Sequence, residues 1–218
     1  MANPYREIFS APGTKAFSGA GLIARMPISM VGIGIITMLA QLQGSYWLAG
    51  GVAATFALAT ALLAPQISRW VDRYGQSRIL PGVTAMGVSA LLALLLCSHF
   101  GAPDWTLFVF AALSGCMPSM SAMVRARWTE LYRGSPKLHT AFSFESVLDE
   151  VSFIIGPPIS VGLSVALFPQ AGPLAAAILL AIGVSVFVLQ RSTEPPVHPR
   201  SSEHQGTVLR QGAVVVLL

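Results

Sequence analysis

The chain of 218 residues is 54% hydrophobic and only 10% charged, against about 25% charged residues in an ordinary soluble domain. Its formal net charge of +4 is spread along the chain in short clusters rather than gathered into one basic patch, which excludes a nucleic-acid-binding role. The apolar residues come in long, nearly charge-free blocks, the pattern of helices surrounded by lipid rather than of amphipathic helices on a soluble core.

Six segments reach the roughly 20 residues that a bilayer crossing requires. They are residues 17–42, 46–69, 79–99, 105–126, 140–168 and 172–190. Open strands would leave backbone groups unsatisfied in lipid, so all six are predicted as helices. The first block is too long for a cleavable signal peptide and is expected to remain as a helix. Arg6 and Lys15 precede it, and Arg25 lies within it. Arg69, Arg73 and Arg78 fall between the second and third segments, and Arg125, Arg127, Arg133 and Lys137 between the fourth and fifth. Arg191, Arg200 and Arg210 follow the sixth. Twelve of the thirteen basic residues therefore lie on one side, which places both termini in the cytoplasm by the positive-inside rule. Trp47 and Trp105 fall at predicted outer ends, Trp70 and Trp128 at predicted inner ends, the interfacial positions that amphipathic rings favour.

Beyond Arg191 the composition changes. Residues 1–191 read as the transmembrane bundle and 192–218 as a separate unit. Ser192–Gln205 is rich in Pro, Ser, His and Glu and is expected to be a solvated cytoplasmic linker. The chain turns apolar again at Val208, where a truncated seventh helix is expected to begin, a short apolar tail being the other reading.

No metal or cofactor pattern occurs. Cys97 and Cys116 lie singly in apolar blocks and read as small core hydrophobes. The four histidines, His99, His139, His198 and His204, sit in loops, at helix ends or in the tail, and His-Glu-x-x-His is absent. An intramembrane protease or hydrolase, and with it an enzymatic role, is excluded on that ground.

The fifth segment carries the charged residues of interest. At 100° per residue, Glu145, Asp149, Ser152, Gly156 and Ser160 fall within an arc of roughly 80°. Counting from residue 140, Asp149 lies roughly 14 Å deep, near the bilayer midplane. A carboxylate there is costly unless paired, hydrated or protonated, which suits a group that binds and releases protons. Glu150 adjoins it, and Glu145 reads equally as a snorkelling residue near the cytoplasmic end. Arg25 lies at similar depth and is the natural partner, with Arg125 the alternative. One arginine facing two or three acids leaves a carboxylate free to titrate. A purely structural ion pair remains the other reading of Asp149 and Glu150. Gly115 and Pro118 in the fourth segment read as packing and kink residues, and Met117, Met120 and Met123 as lipid-facing or core packing residues, with the lining of an apolar cavity the other reading.

The loop Ser68-Arg69-Trp70-Val71-Asp72-Arg73-Tyr74-Gly75-Gln76-Ser77-Arg78 resembles the signature of the major facilitator superfamily, Gly-x-x-x-Asp-Arg-x-Gly-x-basic-basic, at the matching cytoplasmic position. Asp72, Arg73, Gly75 and Arg78 match, while Ser68 and Ser77 depart. Gly156-Pro157-Pro158-Ile159-Ser160 is similar to the superfamily's antiporter motif. Ser143, Ser152 and Ser160 stand where that motif has glycines, and Val161 departs from it.

The resemblance implies an all-α integral membrane protein, the amino-terminal six-helix half of a transporter, built as two three-helix inverted repeats. It implies a gating role for Asp72, Arg73, Gly75 and Arg78, and a helix-bending role for Gly156, Pro157 and Ser160. Its implied partners are a small-molecule solute, protons, the lipid bilayer, and a missing carboxy-terminal half or second copy. The implied location is the plasma membrane, the bacterial inner membrane, with export by antiport favoured over uptake. A non-transporting scaffold, a sensor or an inactive half is the alternative.

Overall fold

The computed structural model describes residues 4–197; the expected seventh helix lies outside the described residues. The described chain forms α1 (Pro4–Ile8), α2 (Thr14–Gln43), α3 (Tyr46–Tyr74), α4 (Gln76–His99), α5 (Asp104–Ser114), α6 (Met120–Tyr132), α7 (Lys137–Ala166) and α8 (Ala171–Leu189), then a short 3₁₀ turn at Arg191–Thr193. Among the described residues there is no strand. Five helices, α2, α3, α4, α7 and α8, are long and apolar enough to cross a membrane.

Helix ends follow local chemistry. Gly44, at φ 66°, closes α2 with its N–H on the Ala40 carbonyl, a left-handed cap that costs glycine nothing. Ser45 opens α3 by accepting from Leu48 N, satisfying one of the helix's orphan donors. Gly75, at φ 91°, alone separates α3 from α4, a turn in which a Cβ would be strained.

The fourth predicted crossing, residues 105–126, is not one helix. It breaks between Ser114 and Met120. Pro118 removes a backbone donor and clashes with the preceding turn. Gly115 lets α5 approach α3 so closely that a Cβ there would stand 2.8 Å from Thr60 N. The break is tolerable because Gly115, Cys116, Met117 and Pro118 are all buried, and irregular backbone at membrane depth survives only inside protein. Gly115 N–H still reaches the Ala111 and Ala112 carbonyls, and Cys116 N–H that of Leu113.

α2 is the central element, packed against α8, α7, α3 and α6, while α4 packs against α5, α8 and α3. Helices approach through small residues: Gly183 of α8 faces Ala24 of α2, and Gly87 of α4 faces the Cys116 carbonyl. Close backbone approach of this kind drives helix association where lipid removes the hydrophobic contrast. α7 continues as helix through Pro157 and Pro158. Met117, Met120 and Met123 are buried core residues. α1, unanticipated from the sequence, is held by Tyr132, whose hydroxyl donates to the Ile8 carbonyl at 2.7 Å.

Candidate functional site

Four charged side chains from three helices converge inside the bundle. Arg25 projects from α2, Arg125 from α6, and Glu145 and Asp149 from α7, one turn apart on one face. Arg25 is 3% exposed and Glu145 is 0% exposed. The Arg25 Nη2 donates to Glu145 Oε2. Its Nη1 donates to Asp149 Oδ1 at 2.9 Å and to the Glu145 carbonyl at 3.2 Å. Its Nε donates to the Gly21 carbonyl at 3.3 Å. Arg125 Nη2 donates to Asp149 Oδ2 at 2.6 Å.

Neutral donors complete each carboxylate. Ser18 Oγ and Trp128 Nε1 each donate to Glu145 Oε1 at 2.8 Å. Ser121 Oγ donates to Asp149 Oδ1 at 2.5 Å. Two guanidinium groups thus face two carboxylates. Desolvated charges of this density persist only when paired and hydrogen-bonded to this extent.

Arg25 and Arg125, the two alternative partners in the sequence, both engage Asp149. Glu145 is sealed by Arg25, Ser18 and Trp128 rather than snorkelling. Glu150 lies on the exposed side of α7 and makes no ion pair or side-chain hydrogen bond among the described residues. Trp128 corrects the interfacial assignment made from its position: it is 0% exposed, stacked on Tyr132 and edge-on to Phe17 and Phe9. Trp47, Trp70 and Trp105 are exposed. Ser18, Ser121 and Trp128 were missed as site residues. The spacing of Ser18 and Arg25, seven apart and so on one helical face, is the signal that could have found the first.

The small residues of α7 meet α2. Ser29 Oγ donates to the Ser152 carbonyl at 2.9 Å, and Ser160 Oγ to the Met30 carbonyl at 2.9 Å. Gly156 packs on Ser29. This seam sets the rotation that brings Glu145 and Asp149 onto Arg25.

The α3–α4 turn is separate from this network. Asp72, Arg73 and Arg78 are exposed, and among the described residues none forms an ion pair; Arg73 lies over the Tyr74 ring at 5.3 Å. Gly75 is buried. The turn is held from below: Glu194 Oε1 accepts from Ser77 N at 2.7 Å, an anion at a helix N-terminus. Buried Arg127 donates to Gln76 Oε1, the Gln190 and Phe187 carbonyls and Thr193 Oγ1. The first residues of the expected linker are therefore bonded to the bundle. Neither Arg127 nor Glu194 stands out in the sequence, because their hydrogen-bond partners are backbone atoms and neutral side chains that no charge pattern announces.

A family model described as the Major Facilitator Superfamily matches residues 17–218. No curated protein and no solved structure matches the chain.

Proposed function

The chain belongs to the major facilitator superfamily, and on that premise we propose that it is one six-helix half of a secondary active transporter for a small solute, coupled to protons. In this reading α5 and α6 together make the fourth crossing, both termini face the cytoplasm, and residues 192–218 lead to a second six-helix half. The halves rock about a midplane cavity between them. The long helices α3 and α7 bury the smallest share of their apolar windows and expose Leu58, Leu62, Phe153 and Ile154, the surface such a second half, or a second copy, would cover. Glu150 belongs to that face. The exposed Asp72, Arg73 and Arg78 are free to contact the other half in one state and release it in the next, which is the gating role proposed for this loop.

The observation that carries proton coupling is the Arg25–Glu145–Asp149–Arg125 network within an apolar bundle. Intramembrane ionisable clusters mark ion and proton pathways. Asp149, whose side chain is 20% exposed, is the acidic member that solvent in a cavity can reach, Glu145 being fully buried. The similarity of the Gly156–Ser160 segment to the antiporter motif favours export. The test is substrate-induced proton release in everted vesicles carrying the whole protein, measured across a panel of amphipathic cations. Asp149→Asn is expected to abolish that signal while leaving a monodisperse folded protein, whereas Glu150→Gln, at a position outside the network, is expected to keep it. Proton release at wild-type levels in Asp149→Asn would sink the coupling role.

The balance of two arginines against two acids favours one other reading, a structural ion-pair network in a scaffold. It predicts that no member of the panel moves protons through the wild-type protein.

A further inference from the structure

The serine partners of the network's two carboxylates line different spaces. An open groove of about 370 Å³ lies between α2 and α7, lined by Phe9, Lys15, Ser18, Gly19, Phe144 and others. A smaller cavity of about 40 Å³ lies farther along α2, bordered by Arg25, Pro27, Pro118, Ser119 and Ser121. Ser18 lines the first and donates to Glu145; Ser121 lines the second and donates to Asp149. We propose that these hydroxyls are separate proton relays, Ser18 carrying protons between the groove and buried Glu145, and Ser121 between the inner cavity and Asp149, with Arg25 bridging the pair. This rests on the proton-coupled reading above and deepens it by adding Glu145 as a second proton site.

Chemistry selects the serines. Glu145 side-chain oxygens accept from Arg25, Trp128 and Ser18. A guanidinium and an indole N–H donate but cannot accept, whereas a hydroxyl does both. Ser18 is thus the one side-chain partner of Glu145, among the described residues, able to pass a proton on. The same holds for Asp149, whose other partners are Arg25 and Arg125. The inner cavity has room for about one water. In the transfer step a hydronium in the groove gives a proton to Ser18 Oγ as the original Ser18 proton passes to Glu145 Oε1. One O–H bond forms at the serine and one breaks; the hydroxyl is regenerated, a water remains, and the carboxylate becomes a neutral acid. Protonation weakens its hold on Arg25, leaving the guanidinium to Asp149.

The charged groups facing the pair are Arg25 from α2 and Arg125 from α6. From α8 no titratable side chain is presented. From α1, Arg6 and Glu7 are exposed, and Lys15 of α2 lies at the groove rim.

The experiment needs no substrate. A pH jump on the purified whole protein in nanodiscs, followed by infrared absorption at the carbonyl stretch of protonated carboxyl groups, reads proton arrival directly; the part lost in Glu145→Gln belongs to Glu145. Ser18→Ala is expected to slow that part by about a hundredfold with its amplitude unchanged, and Ser18→Thr to restore the rate. Ser18→Cys, close in volume and a weaker donor, serves where the alanine variant does not fold, with an intermediate rate expected. A wild-type rate in Ser18→Ala, or in Ser18→Cys where that variant stands in for it, overturns the relay while leaving proton coupling intact. Absence of any Glu145-dependent band in the wild type overturns protonation of Glu145, and the relay with it; coupling through Asp149 is then judged by the vesicle measurement alone.

Discussion

Arg25→Met is expected to cost the bundle about 3–5 kcal/mol, the usual penalty for stranding the partner of a buried ion pair. The substitution keeps a long flexible side chain but withdraws every guanidinium donor. Glu145, with 0% exposure, then holds a charge supported only by Ser18 and Trp128. Asp149 loses less, because Arg125 and Ser121 still reach it. In detergent this corresponds to a fall in melting temperature of roughly 6–20 °C for a chain of this size. The double variant Arg25→Met with Glu145→Leu is expected to recover most of the loss, since removing both charges leaves apolar groups where an unpaired ion stood. Thermal unfolding monitored by size-exclusion chromatography checks both variants. If Arg25→Met melts with the wild type, Arg25 and Glu145 are not a buried ion pair and the network described here is wrong.

Gly183→Leu is expected to prevent assembly altogether. A Cβ at Gly183 would stand 2.5 Å from Ala24 N, 2.7 Å from its Cα and 2.8 Å from its Cβ, so the obstacle is mostly backbone and cannot rotate away. Even Gly183→Ala must push α8 off α2, an overpacking cost of about 1–3 kcal/mol. The displacement acts next to Arg25, the residue following Ala24, so the charge network shifts with the helix. Gly32→Ala is the matched control on α2, where an added methyl meets nothing within 4 Å. Folded yield and melting temperature in detergent are expected to collapse for Gly183→Leu, fall for Gly183→Ala and stay unchanged for Gly32→Ala. A well-folded Gly183→Leu protein would refute the close α2–α8 approach.

The long helices were legible in the sequence because lipid imposes a length and a composition that single segments must meet alone. The meeting of Arg25 with the acids of α7 was partly legible, through depth and the shared face of Glu145 and Asp149. The break after Ser114 was not. Hydropathy runs straight through residues 105–126, and whether Gly115 and Pro118 bend or interrupt a helix depends on α3 and α4 enclosing the freed backbone. Glu150 was grouped with Asp149 by adjacency, yet successive residues on a helix lie 100° apart, and the α2–α7 seam turns one inward and the other out. Trp128 was placed at the interface by its position near a helix end, but the Glu145 carboxylate and the Phe17 and Tyr132 rings give it a buried site with a partner for its N–H.

The sequence by itself determined that this chain is a membrane-embedded helical bundle, with its basic residues segregated between alternate segments, and which segments carry charge into the membrane. Those properties are local, since each residue's transfer free energy is set largely by its own side chain and depth. The tertiary structure decided which charges pair, which one faces outward, and which hydroxyls donate to the paired acids. These depend on the rotation and close approach of neighbouring helices, set by contacts such as Gly183 on Ala24 and Ser160 on the Met30 carbonyl, between residues far apart in the chain.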